Sequence, residues 1–99
     1  MPAYIIANMT ITDPDTFGKY AQAAGPTVAA HGGKLLDAGP SSEVIEGDPA
    51  PITVVIEFES VEKAKAWYDS SEYKEIIEMR LSSTAGWMIL APQFAPPQA

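Results

Sequence analysis

The feature that most constrains this sequence is a change of hydrophobic period within the stretch Thr53–Arg80. From residue 52 to residue 59, apolar side chains alternate with others at a period of two, which predicts a strand. Ser60 then offers a hydroxyl for an N-cap, and the apolar residues after it recur at spacings of three and four, which predicts a helix. Asp69-Ser70-Ser71 interrupts the pattern, and Ser70 or Ser71 can cap a second helical piece that ends near Arg80.

The N-terminal part of the chain has the same strand–helix order. Ala3–Ile11 alternates as a strand, and Asp13-Pro14 is typical of an N-cap followed by the first helical residue. We expect the helix to reach His31 either with a kink or as two short helices, because the proline of Gly25-Pro26 removes a helical hydrogen bond. Gly32-Gly33 then allows a left-handed helix end.

The remaining strands complete the order β-α-β-β-α-β. We predict short strands at Lys34–Asp37 and, after a bend, at Ser42–Glu46, and a last strand at Trp87–Ala91. Two right-handed crossovers place both helices on one face of an antiparallel sheet. The predicted fold class is therefore α+β, a ferredoxin-like sandwich, with residues 1–92 as a single domain and residues 93–99 as a C-terminal tail.

The second face of this sheet lacks the polar residues expected of a face in water. Tyr4 and Ile6 lie on it in the first strand, Val55 lies on it in a later strand, and the last strand is apolar on both faces. Two helices cover only one face, so a second copy packed sheet to sheet is the simplest cover. We expect a homodimer, in the form of a dimeric α+β barrel. The alternative is a thin monomer with an exposed apolar face.

Charge and composition exclude several classes of function. The net charge is −7, which argues against binding to nucleic acids and to anionic membranes. The chain has no cysteine, which excludes disulfides, thiol nucleophiles and thiolate metal sites. Phosphate-loop, dinucleotide and nucleophile-elbow motifs are absent, which argues against NTPases, dinucleotide-binding enzymes and triad hydrolases. We predict no cofactor. We also predict no metal, since Glu43, Glu46 and Asp48 fit solvated charge better than a cation site. Without a membrane span or a secretory signal in its sequence, a cytoplasmic protein is expected.

A set of short motifs extends over nearly the whole chain, as far as about Pro92. They are Asp13-Pro14, Tyr20, His31–Lys34, Val44–Asp48, Val54–Phe58, Ala64, Ala66–Ser70, Glu72-Tyr73 and Arg80. In combination they resemble a bacterial family known as domain of unknown function number 1330, of the dimeric α+β barrel superfamily. The resemblance implies the ferredoxin-like fold and the sheet-to-sheet dimer, and it implies no established reaction.

Two further expectations come from the resemblance. Members of the family often carry an arginine in the last strand, near the place of Trp87 here, so a pocket that relies on that arginine would differ in this chain. Relatives in the superfamily include cofactor-free monooxygenases, muconolactone-isomerase-like enzymes and haem proteins. They bind ligands between the sheet and its helices, and an activity transferred from them rests on analogy of fold alone.

Arg80 is the first candidate for ligand binding. It shares an apolar stripe with Tyr73, Ile76 and Ile77, where it can hold the carboxylate or phosphate of a small ligand. The alternative is an arginine stabilised by the helix dipole, with its aliphatic stem covering the core. The two interpretations stand about equal.

His31 and four aromatic residues are the other candidates. His31, the single histidine, is the candidate catalytic acid or base, and its structural alternative is a cap at the end of the first helix. A role for it as a haem ligand has no other support in the sequence. Tyr20, Trp67, Tyr68 and Tyr73 are candidate ligand-binding residues, although aromatic residues at helical spacing more often form plain core.

These residues support two hypotheses of function. In the first, a cytoplasmic homodimer binds a small anionic or aromatic organic ligand between sheet and helices. If that dimer is an enzyme, it is a cofactor-free one of the oxygenase, isomerase or proton-transfer type, with His31 as acid or base. In the second, the dimer is a non-catalytic ligand-binding or structural module. The sequence specifies neither the ligand nor a reaction.

Overall fold

The computed structural model describes residues 1–96. The elements are β1 (Ala3–Ile11), α1 (Pro14–Ala30), β2 (Lys34–Gly39), β3 (Ile52–Phe58), α2 (Val61–Asp69), α3 (Ser71–Lys74), α4 (Ile77–Ser83) and β4 (Thr84–Pro92). Of the predicted tail, residues 93–96 are described and residues 97–99 lie outside the described part of the chain. No helix within residues 1–96 is both long enough and apolar enough to cross a membrane.

The four strands form one antiparallel sheet in the order β2-β3-β1-β4. The central pair aligns Ile5 of β1 with Ile56 of β3. These two side chains and Phe58 pack in one buried cluster with residues of α1, α2 and α3, so the helices share one face of the sheet. The ferredoxin-like α+β fold predicted from the sequence is confirmed.

Helix α1 begins as its sequence predicts. The carboxylate of Asp13 accepts hydrogen bonds from the backbone N–H of Thr16 and from its hydroxyl, and Pro14 occupies the first helical position. The helix is not divided at Gly25-Pro26 but runs unbroken to Ala30. Because Gly25 has no Cβ to meet the proline ring, it can keep a helical backbone immediately before Pro26.

Residues 42–46 do not form the predicted strand. β2 instead continues to Gly39 through an irregularity between Leu35 and Asp37, and the chain then runs without regular structure to the start of β3. β2 already pairs with β3 up to Gly39 opposite Thr53, so β3 provides no further partner for the next residues. Ile45 is accordingly 92% exposed. Alternation in the sequence was misleading here because a strand also needs a partner for its backbone.

The helical segment after α2 is in two parts rather than the single piece predicted. Ser70 caps α3 by accepting a hydrogen bond from the backbone N–H of Tyr73, and a turn at Glu75 and Ile76 then separates α3 from α4. At that turn the N–H of Ile76 donates to the carbonyl of Tyr73 three residues earlier. The tighter turn ends α3 and leads into α4, which contains Arg80.

The face of the sheet opposite the helices is apolar and open in the single chain. The register places Trp87 of β4 beside Asn8 and Ile89 beside Ile6, and each of the two apolar side chains of β4 is about half exposed. β4 is longer than predicted and begins at Thr84. Gly86 has a positive φ of 155°, and a Cβ there would overlap the backbone of β1.

Candidate functional site

A cleft of about 350 Å³ lies between α1 and the strands β2 and β3. Its lining consists of Phe17, Tyr20, Ala21, Ala24, Gly25, Val28, Ala29, Gly33, Leu35, Ala38, Ile52, Val54, Ile56 and Trp67. The cleft exists because α1 faces these strands largely with alanine and glycine, whose small side chains leave space above the sheet. Its volume lies in the range of small-molecule sites.

Two of the lining side chains carry a polar group, and one of the two is already engaged. The indole N–H of Trp67 donates to the hydroxyl of Thr27 at 3.0 Å, and that hydroxyl donates to the carbonyl of Ala24 at 2.7 Å. The other polar side chain is Tyr20. An apolar space with so few polar groups favours a ligand that is mostly apolar with one polar end.

The hydroxyl of Tyr20 is the first of three linked polar groups. It lies 2.7 Å from the hydroxyl of Tyr73, and the Nε–H of Arg80 donates to the same Tyr73 oxygen at 3.0 Å. Tyr73 is fully buried and Arg80 is 7% exposed. We call Tyr20, Tyr73 and Arg80 the relay.

The chemistry of the donors determines the direction of these hydrogen bonds. A guanidinium only donates, so the oxygen of Tyr73 accepts from Arg80. The O–H of Tyr73 then has one acceptor within reach in the described chain, the oxygen of Tyr20. The opposite direction would leave the O–H of the fully buried Tyr73 without a partner, at a cost of about 1–3 kcal/mol, whereas Tyr20 lines the cleft, where water or a ligand can accept its proton. Tyr73 therefore donates to Tyr20, and the O–H of Tyr20 has no acceptor among residues 1–96.

Arg80 is a buried cation without a carboxylate partner in the described chain. Among residues 1–96, the carboxylates within 4.0 Å of a basic side chain are Asp69, beside Lys74, and Glu72, 3.9 Å from the imidazole of His31. Within the same residues, Arg80 makes its one side-chain hydrogen bond to Tyr73. Removing a guanidinium from water without an anion costs free energy, and a residue kept at such a cost is a candidate for a role in binding or function.

Tyr20 is neutral over the physiological pH range. Burial raises its pKa far above the usual value, and the neighbouring Tyr73 raises it further, whereas the positive charge of Arg80 opposes the shift. A neutral phenol can donate its proton in a hydrogen bond, and it does not act as a base.

The sequence pattern described as "Domain of unknown function (DUF1330)" matches residues 2–94. The chain belongs to this family. It also resembles Protein YciI from Escherichia coli O6:H1, with 46% identity over 46 residues. That alignment covers 41% of this chain and 47% of YciI, so it spans about half the length of this relative.

Solved structures of other proteins share the fold of this DUF1330 chain. A protein of unknown function from Rhodopseudomonas palustris, RPA0582, has a TM-score of 0.75 and 17% identity, over 96% of this chain and 84% of that one. SnoaB from Streptomyces nogalater, described as a cofactor-independent oxygenase, has a TM-score of 0.67 and 9% identity, over 99% and 95% of the two chains. A dimeric ferredoxin-like protein of unknown function from Thermobifida fusca has a TM-score of 0.65 and 14% identity, over 93% and 91%. At these identities the likeness concerns the fold.

The candidate residues of the DUF1330 chain do not all meet at the cleft. Tyr20 and Trp67 line it, and Tyr73 and Arg80 connect to it through Tyr20. Tyr68 lies instead beside a smaller hollow of about 220 Å³ between α2 and β4, with the ammonium of Lys74 4.3 Å above its ring.

His31 is not among the residues that line the cleft. It follows the last residue of α1, where its Nδ1 is 3.0 Å from the carbonyl oxygen of Thr27 and its Nε2 is 3.9 Å from a carboxylate oxygen of Glu72. Trp87, expected near the place of an arginine in relatives, lies with Asn8 on the open sheet face, away from the helices. Within residues 1–96, no group of three or more histidines and acidic residues is placed to hold a metal ion.

The wall that creates the cleft was not predicted from the sequence. Ala21, Ala24, Gly25 and Ala29 recur at helical spacing along one face of α1, and this pattern is visible in the sequence. It indicates a helix whose small side chains leave space between it and the element packed beside it. Such a pattern specifies a cleft only once the sheet below it is known.

Proposed function

We propose that this protein is a homodimer in which each subunit binds a small, largely apolar organic molecule in the cleft between α1 and the strands β2 and β3. The observation that carries the proposal is the hydroxyl of Tyr20, which accepts a hydrogen bond from Tyr73 and keeps its own proton for a ligand, in an apolar cleft of about 350 Å³. The ligand would place its ring or hydrocarbon part against Ala24 and Val54, and an oxygen atom within reach of Tyr20.

The dimer is proposed from the open face of the sheet. Trp87 and Ile89 are about half exposed there, beside Tyr4, Ile6 and Val55. A contiguous apolar face of this kind indicates an interaction surface, and a second copy offers an equal face. The Thermobifida fusca protein of the same fold is described as dimeric.

The relay gives Arg80 an indirect part in this function. Its Nε–H bonds to Tyr73, so we propose that its charge acts on the ligand through Tyr73 and Tyr20 rather than by direct contact. Trp67 serves as a wall of the cleft. His31 has no part in this binding, because it lies outside the cleft and pairs with Glu72.

Native mass spectrometry of freshly purified protein tests the proposal. The expected spectrum shows two chains with a discrete small molecule on each. Ala21→Leu, which adds bulk to an exposed alanine of the cleft wall, should remove the added mass. Ala30→Leu adds the same atoms to an exposed position of α1 outside the cleft and should retain it. Equal loss or equal retention in both variants would contradict the cleft as the binding site.

A cofactor-free enzyme is the second candidate function. It is favoured by the free O–H of Tyr20, because a positioned donor can stabilise negative charge that develops on a substrate oxygen. SnoaB, of the same fold, is described as a cofactor-independent oxygenase. Incubation of the identified ligand with the protein in air distinguishes the two functions. A change in the ligand's mass or in its NMR spectrum that requires the protein indicates an enzyme, and an unchanged ligand indicates a binding protein.

A further inference from the structure

We infer that the cleft selects the deprotonated oxygen of a phenol or an enol, and that the relay determines this selection. The inference rests on the proposed function, since it concerns the ligand of the same cleft. It goes further in assigning the chemical class of the ligand and the ionisation state in which the ligand binds.

The number of donors in the cleft favours a ligand with one anionic oxygen. The O–H of Tyr20 is uncommitted within residues 1–96, whereas the N–H of Trp67 is bound to Thr27. A carboxylate or phosphate has two or more charged oxygens and is best bound by a forked or multiple donor. In this cleft its second oxygen would face apolar side chains. A phenolate or an enolate has a single oxygen that one donor can satisfy.

The direction of the relay favours negative charge at that oxygen. Arg80 donates to Tyr73, Tyr73 donates to Tyr20, and the proton of Tyr20 remains for the ligand. Hydrogen bonds in such a chain polarise one another, so the positive charge at one end strengthens the donor at the other. Since Arg80 has no carboxylate partner in the described chain, no neighbouring negative charge cancels the effect of its positive charge at the cleft.

The apolar lining acts in the opposite direction, which makes the inference testable. Burial among side chains such as Ala24, Val28 and Val54 disfavours an anion and would raise the pKa of a bound phenol. A cleft without the relay would therefore bind the neutral form better. The sign of the ligand's pKa shift on binding separates the two effects.

The experiment uses 4-nitrophenol, which absorbs visible light as its anion, and nitrobenzene, which has the same ring without the hydroxyl. Titration of 4-nitrophenol bound to the wild-type dimer should give a pKa about one unit below that of the free compound, equivalent to roughly tenfold preference for the anion. In Tyr73→Phe the preference should fall to about twofold or reverse. Tyr20→Phe should also lose the preference for the anion, and this variant tests the role of the relay if Tyr73→Phe fails to fold. Ala30→Leu, which lies outside the cleft, should keep the tenfold preference.

The outcomes separate this inference from the proposed function. If both compounds bind to the wild type and the pKa of 4-nitrophenol is unchanged or raised, the selection of an anion is wrong and the cleft remains a binding site. If neither compound binds to the wild type, the proposed function fails together with the inference. A lowered pKa that persists in both Tyr20→Phe and Tyr73→Phe would overturn the role of the relay.

Discussion

The hydroxyl oxygens of Tyr20 and Tyr73 lie 2.7 Å apart although 53 positions separate the two residues in the chain. Tyr20 belongs to α1 and lines the cleft, and Tyr73 belongs to the short helix α3, so their contact joins the two halves of the fold. Tyr73 also accepts a hydrogen bond from Arg80, so it links the charged guanidinium to the hydroxyl of Tyr20. Stability and the proposed ligand recognition thus depend on one set of hydrogen bonds.

Tyr73→Phe should destabilise the protein by about 2–3 kcal/mol. The phenyl ring keeps its packing against Trp67, 4.2 Å between ring centroids, but the guanidinium of Arg80 loses its one side-chain acceptor within residues 1–96. Urea unfolding followed by tryptophan fluorescence measures the change.

Tyr68→Phe is the matched control, because Tyr68 packs in the same aromatic group and its hydroxyl has no hydrogen bond within residues 1–96. It should change stability by less than about 0.5 kcal/mol. Equal losses in the two variants would contradict a specific role for the Tyr73 hydroxyl.

Trp87→Lys should convert the proposed dimer to a monomer. Trp87 lies on the open sheet face, where a lysine from each subunit would bring charge into an apolar contact. Sedimentation velocity measures the oligomeric state directly. Leu81→Lys places the same charge at a residue of α4 that is about equally exposed and lies outside the sheet, and it should remain dimeric. A dimeric Trp87→Lys protein would show that the two sheets do not face each other.

The strand–helix order and the helix starts were predictable from the sequence because they depend on local rules. The caps at Asp13, Ser60 and Ser70 are hydrogen bonds between near neighbours, and each is present in the structure. The apolar open face was also foreseen, since alternation in β1 assigns each side chain to a face.

The errors and omissions concern contacts between distant parts of the chain. Residues 42–46 alternate as a strand does but have no partner strand. Arg80 was predicted either to hold the anion of a ligand or to be stabilised by the helix dipole. Its hydrogen bond to Tyr73 was not foreseen, because periodicity along one helix says nothing about such a bond. Tyr20, Trp67, Tyr68 and Tyr73 were grouped by residue type, and only the packing of the helices separates Tyr68 from the cleft.

Gly33→Ala should lower stability by about 1–3 kcal/mol through overpacking. A Cβ at Gly33 would lie 2.6 Å from Cγ1 of Val28 and 2.7 Å from Cε1 of Phe58, which is buried in the core. The control is Gly18→Ala, where a Cβ would meet nothing within 4 Å on the exposed side of α1. It should raise stability by about 1 kcal/mol because alanine is the better helix former. Thermal unfolding of both variants should therefore show shifts of opposite sign, and shifts of the same sign would contradict the packing at Gly33.

Asp13→Ala should weaken the protein at neutral pH and have less effect in acid. The hydrogen bonds from Thr16 hold the pKa of the Asp13 carboxyl below its usual value of 3.8. A lowered pKa means that this carboxylate stabilises the fold above pH 3.8, and that the stabilisation is lost as the pH falls through the folded-state pKa. Asp13→Asn keeps a capping oxygen without an ionisable group, so the contribution of the asparagine cap to stability should not change with pH. Equal destabilisation by Asp13→Ala at pH 7 and below the folded-state pKa would contradict this role of the carboxylate.

Tyr20 should stabilise the protein less as the solution becomes alkaline. Burial and the neighbouring Tyr73 raise the pKa of Tyr20 above its unfolded value of 10.0, so folding favours the protonated phenol. The corresponding stabilisation is complete below pH 10.0 and decreases as the pH rises beyond it, because the unfolded chain can ionise the residue while the folded chain resists. The free energy of unfolding of the wild type and of Tyr20→Phe should therefore converge above pH 10.0. The difference between the two proteins cancels the contribution of every other titrating group to a first approximation. A difference that stays constant between about pH 8 and pH 11 would mean that the phenol of Tyr20 ionises as readily in the folded protein as in the unfolded chain, and that the relay does not keep it neutral.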